Sequence, residues 1–117
     1  MGFLFIEPSD NNETTHIFPA YYGKDKELHT FNDSDFNNME EVENIYINRA
    51  KIKDIDSDEN ESICNLITIN DIGEEIIDIN YCKTRIDARN YAVNKQNSGY
   101  NVCGNCVRSL YKNEDDN

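Results

Sequence analysis

Cys103 and Cys106 form a C-x-x-C pair near the end of the chain, within the segment YNVCGNCVRSLYK. Two cysteines at this spacing can bind one tetrahedral zinc ion while backbone N–H groups of the intervening loop donate to the thiolates. Gly104 follows the first cysteine and permits the tight turn of such a zinc knuckle. The pair is therefore half of a candidate metal site, and the other ligands must come from elsewhere in the chain.

Cys64 and Cys82 are the two remaining cysteines, and a predicted β-hairpin brings them together. The runs ICNLITI and EIIDINYC flank NDIGE, whose Asn, Asp and Gly suit a short hairpin turn. A turn centred on Gly73 sets Cys64 opposite Cys82, with β-carbons about 5 Å apart. The prediction is a Zn²⁺ site formed by Cys64, Cys82, Cys103 and Cys106. The alternative is a set in which His16 or His29 replaces Cys64.

Two other interpretations of the cysteines remain open. Disulfides suit a secreted chain, but the opening MGFLFIEP is too short for a signal peptide and lacks basic residues. A thioredoxin-like redox pair follows a strand and begins a helix, and the run before Cys103 is short for that strand. Zinc is preferred over both because four cysteines converge in the predicted arrangement.

The apolar runs of this 117-residue chain predict one domain with a modest core. Period-two patterns between turn-forming residues predict strands at 3–6, 16–22, 27–31 and 45–55. A short acidic helix is expected within 33–46. A second helix is expected after the N-cap Thr84, with Ile86 and Val93 on one face, until Gly99 ends it.

These elements predict an α+β fold with a mainly antiparallel sheet and one or two short helices. Residues 1–112 are expected to form the single domain. Its zinc-binding C-terminal part spans 64–106 and ends in a Cys-ligated zinc knuckle, and residues 113–117 form a disordered acidic tail.

The charge of the chain is unevenly distributed. The formal net charge is −12, yet residues 83–112 hold six Lys or Arg against one acid, whereas residues 1–82 hold five against nineteen. A dense acidic surface presents to a nucleic-acid-binding protein the negative pattern that it expects from phosphates. The candidate partner-binding acids are Glu40, Glu41, Glu43, Asp54, Asp56, Asp58, Glu59 and Glu61. The simpler interpretation is a solvated surface that keeps a small protein soluble.

The preferred functional hypothesis is a small acidic, zinc-stabilised protein that inhibits a nucleic-acid-binding enzyme by occupying its basic surface. Small acidic proteins of phages and mobile elements act in this way against host defence. The alternative is a nucleic-acid-binding zinc module that contacts phosphates directly. Its candidate residues are Lys83, Arg85, Arg89, Lys95, Arg108 and Lys112. Repulsion by nineteen acids on the same domain opposes the alternative.

An enzyme is the third hypothesis. It ranks behind the other two because the sequence has no Gly-rich phosphate loop, nucleophile elbow or His-x-x-x-His pair. His16 and His29 with an acid such as Asp25 are the remaining candidates, and isolated histidines in strands more often serve packing. No apolar run reaches the eighteen or so residues of a membrane span. We therefore expect no membrane partner and a cytoplasmic location, in the host cell if the protein is phage-encoded.

Overall fold

The described residues of the computed structural model form a curled sheet of five antiparallel strands and two α-helices. The structure describes residues 2–8, 14–30, 44–51, 61–72 and 76–112. The strands are β1 (Gly2–Pro8), β2 (His16–Tyr22), β3 (Leu28–Thr30), β4 (Ile45–Lys51) and β5 (Ile76–Cys82). A 3₁₀ helix (Ile69–Ile72) precedes β5, and the α-helices are α1 (Arg85–Asn97) and α2 (Gly104–Lys112). The predicted α+β architecture with an antiparallel sheet is confirmed.

β1 is the middle strand in the sheet order β3-β2-β1-β5-β4, and it is buried on both faces. Phe3 and Phe5 point into one apolar layer with residues of α1 and α2, whereas Leu4 and Ile6 belong to the opposite layer. Phe5 lies opposite Ile17 of β2 in the antiparallel register. The unbroken apolar run FLFI follows from this position, because a strand covered on both sides has no solvent face.

α1 begins and ends at the predicted signals. The Asp87 N–H donates to Thr84 Oγ1 at 3.0 Å, which makes Thr84 the N-cap. Gly99 follows the helix with φ of +90°, a conformation that favours glycine. α1 has 13 residues. No helix in the described part of the chain is both long and apolar enough to cross a membrane.

The face of α1 that packs on the sheet differs from the prediction. Ile86 and Val93 are 66% and 41% exposed, while Ala88 and Ala92 are fully buried. Two alanines at i and i+4 share one helix face, and their small side chains let the helix backbone approach the sheet closely. The fully buried positions of the helix are therefore the two alanines, whereas Ile86 and Val93 are exposed to solvent.

The hairpin predicted around Gly73 is wrong. β5 pairs with β1 along one edge and with β4 along the other, so neither edge is available to residues 64–70. That segment folds locally instead, and the Thr68 N–H donates to Asp71 Oδ2 at 2.8 Å at the start of the 3₁₀ helix. The pairing of Cys64 with Cys82 depended on this hairpin and is therefore wrong as well.

Two predicted segments fall outside the described residues. Positions 33–43 of the expected acidic helix are outside the described residues, and the chain is already in β4 from Ile45. The expected acidic tail at 113–117 also lies there. Both stay predictions.

Candidate metal centre

One cluster of sulfur and nitrogen ligands joins β2, the segment before the 3₁₀ helix, and the start of α2. His16, Cys64, Cys103 and Cys106 each offer one ligand atom, and these four atoms lie within 4.8 Å of one another. Adjacent ligand atoms of a tetrahedral zinc site lie about 3.5 to 3.8 Å apart, given Zn–S distances of about 2.3 Å. A contraction of about 1 Å at most therefore converts the cluster into a tetrahedral site.

Backbone hydrogen bonds on both sides of His16 hold the three segments together. The Thr15 carbonyl accepts from the Cys103 N–H at 2.9 Å. The Ile17 carbonyl accepts from the Ile63 N–H at 2.8 Å. The carbonyls that flank the histidine in β2 therefore fix both the segment with the C-x-x-C pair and the turn with the third cysteine.

Cys64 lies in a tight turn whose polar groups face its sulfur. Asn65 adopts a left-handed φ of +62°, which asparagine tolerates better than most residues, and its N–H donates to the Ser62 carbonyl at 2.9 Å. Ser62 Oγ lies 3.0 Å from Cys64 Sγ, and the Leu66 N–H also bonds to this sulfur. Such donors stabilise a thiolate and orient it for coordination.

Two of the three sulfurs of the cluster, those of Cys64 and Cys106, differ in their electrostatic environment. Burial acts to raise the pKa of Cys64, but the hydrogen bonds from Ser62, Leu66 and the neighbouring thiols together lower that pKa below its ordinary value. Burial raises the pKa of the fully buried Cys106 thiol well above its ordinary value. A divalent cation reverses this effect because metal binding displaces the thiol proton.

Nδ1 of His16 is a buried nitrogen with no hydrogen-bond partner among the described residues. An unpaired buried polar atom costs about 1–3 kcal/mol. Burial lowers the pKa of His16 below its ordinary value, which favours the neutral ring. Neutral imidazole is the form that binds metals, and coordination by Nδ1 gives this atom the partner that it lacks. The donor set and the unpaired nitrogen both fit a metal ion.

Cys82 lies outside the cluster, contrary to the predicted ligand set. Its side chain is 1% exposed in the apolar layer beneath α1, and its sulfur accepts a hydrogen bond from Asn80 Nδ2 at 3.2 Å. Burial raises the pKa of Cys82 to about 12, so the group is a protonated thiol. Of the predicted ligands, the structure brings together Cys64, Cys103 and Cys106. His16 stands in place of Cys82, whereas the sequence alternative placed a histidine in place of Cys64.

His29 belongs to a different group of side chains. Its Nε2 lies 2.9 Å from Asp25 Oδ2, and its ring stacks on Tyr21 with centroids 5.0 Å apart. Asp25, Glu27 and His29 also approach within ligand distance of one another, with both acids exposed. His16 and His29 are therefore in separate groups, and the two-histidine site considered from the sequence does not assemble.

α2 is the element that the sequence analysis missed. Cys103 directly precedes it and Cys106 lies in its first turn. Cys106, Val107 and Leu110 occupy one face, and this i, i+1, i+4 spacing is the signal that predicts the helix. Gly104 is the first residue of α2 and therefore does not make the tight turn predicted for a zinc knuckle, whereas Asn65 in the Cys64 turn has a positive φ. The cluster thus combines a turn with a helix start.

Two arginines proposed for nucleic-acid binding cap the C-terminus of α2. Arg85 Nη1 donates to the carbonyls of Ser109 and Leu110 at 3.2 and 3.0 Å. Arg89 Nε and Nη2 donate to the Leu110 carbonyl at 2.9 and 2.8 Å. These carbonyls have no partner within the helix, and cations next to them also stabilise the helix dipole. Both arginines therefore contribute to the fold.

Lys95 is a third basic residue engaged within the fold, since its Nζ lies 2.6 Å from Oε1 of the buried Glu7. Lys83, Arg108 and Lys112 are exposed, and Arg108 Nη1 donates to Asn105 Oδ1 at 3.3 Å. The predicted basic surface is consequently divided between internal contacts and solvent.

Glu61 is the one proposed partner-binding acid within the described residues, and it is exposed. The other seven lie outside them: Glu40, Glu41, Glu43, Asp54, Asp56, Asp58 and Glu59. Their proposed role stays a prediction based on the sequence.

Comparison of the chain with protein-family models, with curated proteins and with solved structures finds no match. The functional interpretation therefore depends on the charge of the chain and the geometry of the cluster.

Replacing His16 by alanine is expected to weaken metal binding by more than the roughly 10- to 100-fold typical of losing an outer-shell partner, because a direct ligand is removed. His29→Ala is the matched control, since His29 lies outside the cluster, and it should leave the affinity unchanged. A competition titration against a chromogenic chelator measures both constants. Equal affinities of the two variants would exclude His16 as a ligand.

Proposed function

We propose that this protein is a zinc-stabilised domain in which His16, Cys64, Cys103 and Cys106 bind one Zn²⁺. The supporting observation is that the four ligand atoms converge within 4.8 Å from segments far apart in sequence. Thiolates and imidazole suit zinc, whereas magnesium and calcium prefer oxygen ligands. Bound there, the ion ties β2, the Cys64 turn and α2 together. With four protein ligands it has no open coordination position, so its role is structural.

The position of the C-x-x-C pair at the start of α2 also suits a thioredoxin-like redox pair. The third sulfur and the imidazole favour metal over that interpretation, since a redox pair needs neither. All four cysteines are free thiols, with Cys64 and Cys103 half-buried. Zinc therefore accounts for more of the cluster than either a redox pair or disulfides.

We propose further that the domain acts by binding, and that it inhibits a nucleic-acid-binding enzyme by covering the enzyme's basic surface. The net charge of −12 supports this proposal, because such a charge attracts a basic surface over distances of up to about a Debye length. Anti-defence proteins of phages and mobile elements are the type proposed, with a cytoplasmic location. No catalytic step and no membrane contact form part of the proposal.

The contacts of the basic residues weigh against the nucleic-acid-binding module. Arg85, Arg89 and Lys95 bind α2 carbonyls and Glu7, which reduces the donors left for phosphates. Each phosphate contact must also overcome the repulsion from the acidic remainder of the chain. The acidic surface is therefore the better candidate for partner recognition.

Neutralising the acids of residues 56–61 is expected to slow association with the partner without unfolding the domain, since exposed charges mainly set the association rate. The variant changes Asp56, Asp58, Glu59 and Glu61 to Asn or Gln. The loss should be steep at low salt and small near roughly 1 M, where the Debye length is about 3 Å. An affinity pull-down from host lysate supplies the partner, and surface plasmon resonance measures the rates.

The comparison variant changes Lys83, Arg108 and Lys112 to Gln and should leave association unchanged or faster. An electrophoretic shift with random DNA and RNA at low salt completes the test. If the unchanged protein binds nucleic acid directly and the variant without Lys83, Arg108 and Lys112 does not, the nucleic-acid-binding module replaces the inhibitor proposal. If the variant with the four neutralised acids keeps the same association rate and salt dependence, those acids serve only solubility.

A further inference from the structure

An open cleft of about 390 Å³ lies beside the metal cluster, between the Cys64 turn, the start of α1 and the end of α2. Phe3, Pro19 and Ile63 line its apolar part. Arg85 and Lys112 line it with positive charge, and Glu61 is the acid among its lining residues. The cleft thus combines an apolar wall with two cations, an arrangement that the structural zinc site does not require.

Arg85 is held rigidly at this cleft. Its Nη1 donates to the carbonyls of Ser109 and Leu110, and its guanidinium carbon lies 5.1 Å from the centroid of the Phe3 ring. Nε and Nη2 make no hydrogen bond with the described residues, so two N–H-bearing atoms of the planar group are left for a ligand. An arginine fork fixed in this way pays little entropy when it binds an oxyanion, and its geometry matches a carboxylate.

The charges that line the cleft select the kind of anion. Among the described residues that line the cleft, Arg85 and Lys112 together outweigh Glu61 by one positive charge, which balances a monoanion and disfavours a dianion such as sulfate. Pro19 and Ile63, which are half-buried, supply the accessible apolar part of the lining and favour a ligand with a small hydrophobic body. We propose that the cleft binds a small monocarboxylate with an apolar body, whose carboxylate is held by Arg85 and Lys112.

This inference goes beyond the proposed partner binding and does not depend on it. The test uses the full chain with its metal bound, and metal content is measured for every variant because Cys64 also lines the cleft. Benzoate is the probe, and benzamide is its neutral counterpart of the same shape. Sulfate, which is a dianion at neutral pH, tests the preference for a monoanion. Amide chemical shifts in a ¹⁵N NMR titration report both the affinity and the location.

We expect benzoate to bind with a dissociation constant on the order of 1 mM and to shift the amides of Ser62, Cys64 and Arg85. Arg85→Lys keeps the charge but removes the fork, and it should weaken binding about tenfold. Lys112→Gln should weaken it a few-fold. Arg108→Gln is the control, since it removes an exposed charge of α2 that does not line the cleft, and it should change nothing.

The Lys112 variant keeps the test decisive if Arg85→Lys disturbs α2, because Lys112 is exposed and makes no ion pair with the described residues. Several results would overturn the proposal. They are equal binding of benzamide and benzoate, tighter binding of sulfate than of benzoate, shifts confined to residues away from the cleft, and equal effects of Lys112→Gln and Arg108→Gln. An absence of any shift at benzoate concentrations on the order of 10 mM would also overturn it.

Discussion

Replacing Cys103 by serine is expected to release the zinc and to lower the free energy of unfolding by at least about 3 kcal/mol, or to leave the chain unfolded. Cys103 is half-buried and precedes α2, so its loss removes a ligand without opening a large cavity. The destabilisation therefore reports mainly the lost metal. Urea denaturation followed by circular dichroism, together with metal analysis, measures both quantities.

Cys82→Ser is the matched control for this prediction. Cys82 is more deeply buried than Cys103 but lies outside the cluster, so the variant should keep one zinc per chain. It should lose about 1–3 kcal/mol, because a buried hydroxyl replaces a thiol. Loss of zinc from Cys82→Ser and retention by Cys103→Ser would contradict the proposed ligand set.

Replacing Lys95 by methionine is expected to destabilise the fold by roughly 3 kcal/mol, because it leaves the carboxylate of Glu7 buried without its cation. Glu7 is 6% exposed, and its Oε2 accepts a hydrogen bond from the Tyr91 hydroxyl at 2.5 Å while its Oε1 meets Lys95. Burial, together with the hydrogen bond to Glu7, raises the pKa of Tyr91 well above its ordinary value. The ion pair between Glu7 and Lys95 therefore connects β1 to α1 in a region of low polarity.

A double-mutant cycle with Glu7→Gln separates the pairing from the loss of lysine contacts. The double variant should be more stable than Lys95→Met alone, since the uncompensated charge is gone. Lys112→Met is the control for replacing a lysine, because Lys112 is exposed, and it should stay within about 0.5 kcal/mol of the unchanged protein. Equal stabilities of the Lys95 and Lys112 variants would show that the buried ion pair contributes nothing.

The features that the sequence predicts well are those with local causes. β2 matches the expected range at His16–Tyr22, because its aromatic and β-branched residues lie between turn formers. α1 begins after Thr84, whose side chain caps the first turn, and ends before Gly99, whose backbone adopts a positive φ. Each of these signals acts over a few residues, so a single sequence contains it.

The composition of the candidate metal cluster depends instead on strand order, which no local pattern specifies. The sequence favours pairing of Cys64 with Cys82 because a turn signal lies between them. In the structure β1 and β4 occupy both edges of β5, so the segment with Cys64 packs next to β2 and reaches His16. Both cysteines of the C-x-x-C pair lie in the cluster, because their spacing alone keeps the two sulfurs together.

The packed face of α1 shows why burial is hard to predict from residue type. Ile86 and Val93 are the large aliphatic residues of the helix, and both are exposed, whereas Ala88 and Ala92 are fully buried. Close helix–sheet contact favours small side chains, and their low hydrophobicity gives a weak sequence signal.

X-ray absorption spectroscopy at the zinc edge of the purified protein tests the central claim most directly. The proposed site predicts one zinc per chain, with three sulfur neighbours at about 2.3 Å and one nitrogen neighbour at about 2.0–2.1 Å. His16→Ala should remove the nitrogen neighbour or the zinc itself. Protein that contains no zinc, or zinc with four sulfur neighbours or mainly oxygen neighbours, would contradict the site formed by His16, Cys64, Cys103 and Cys106.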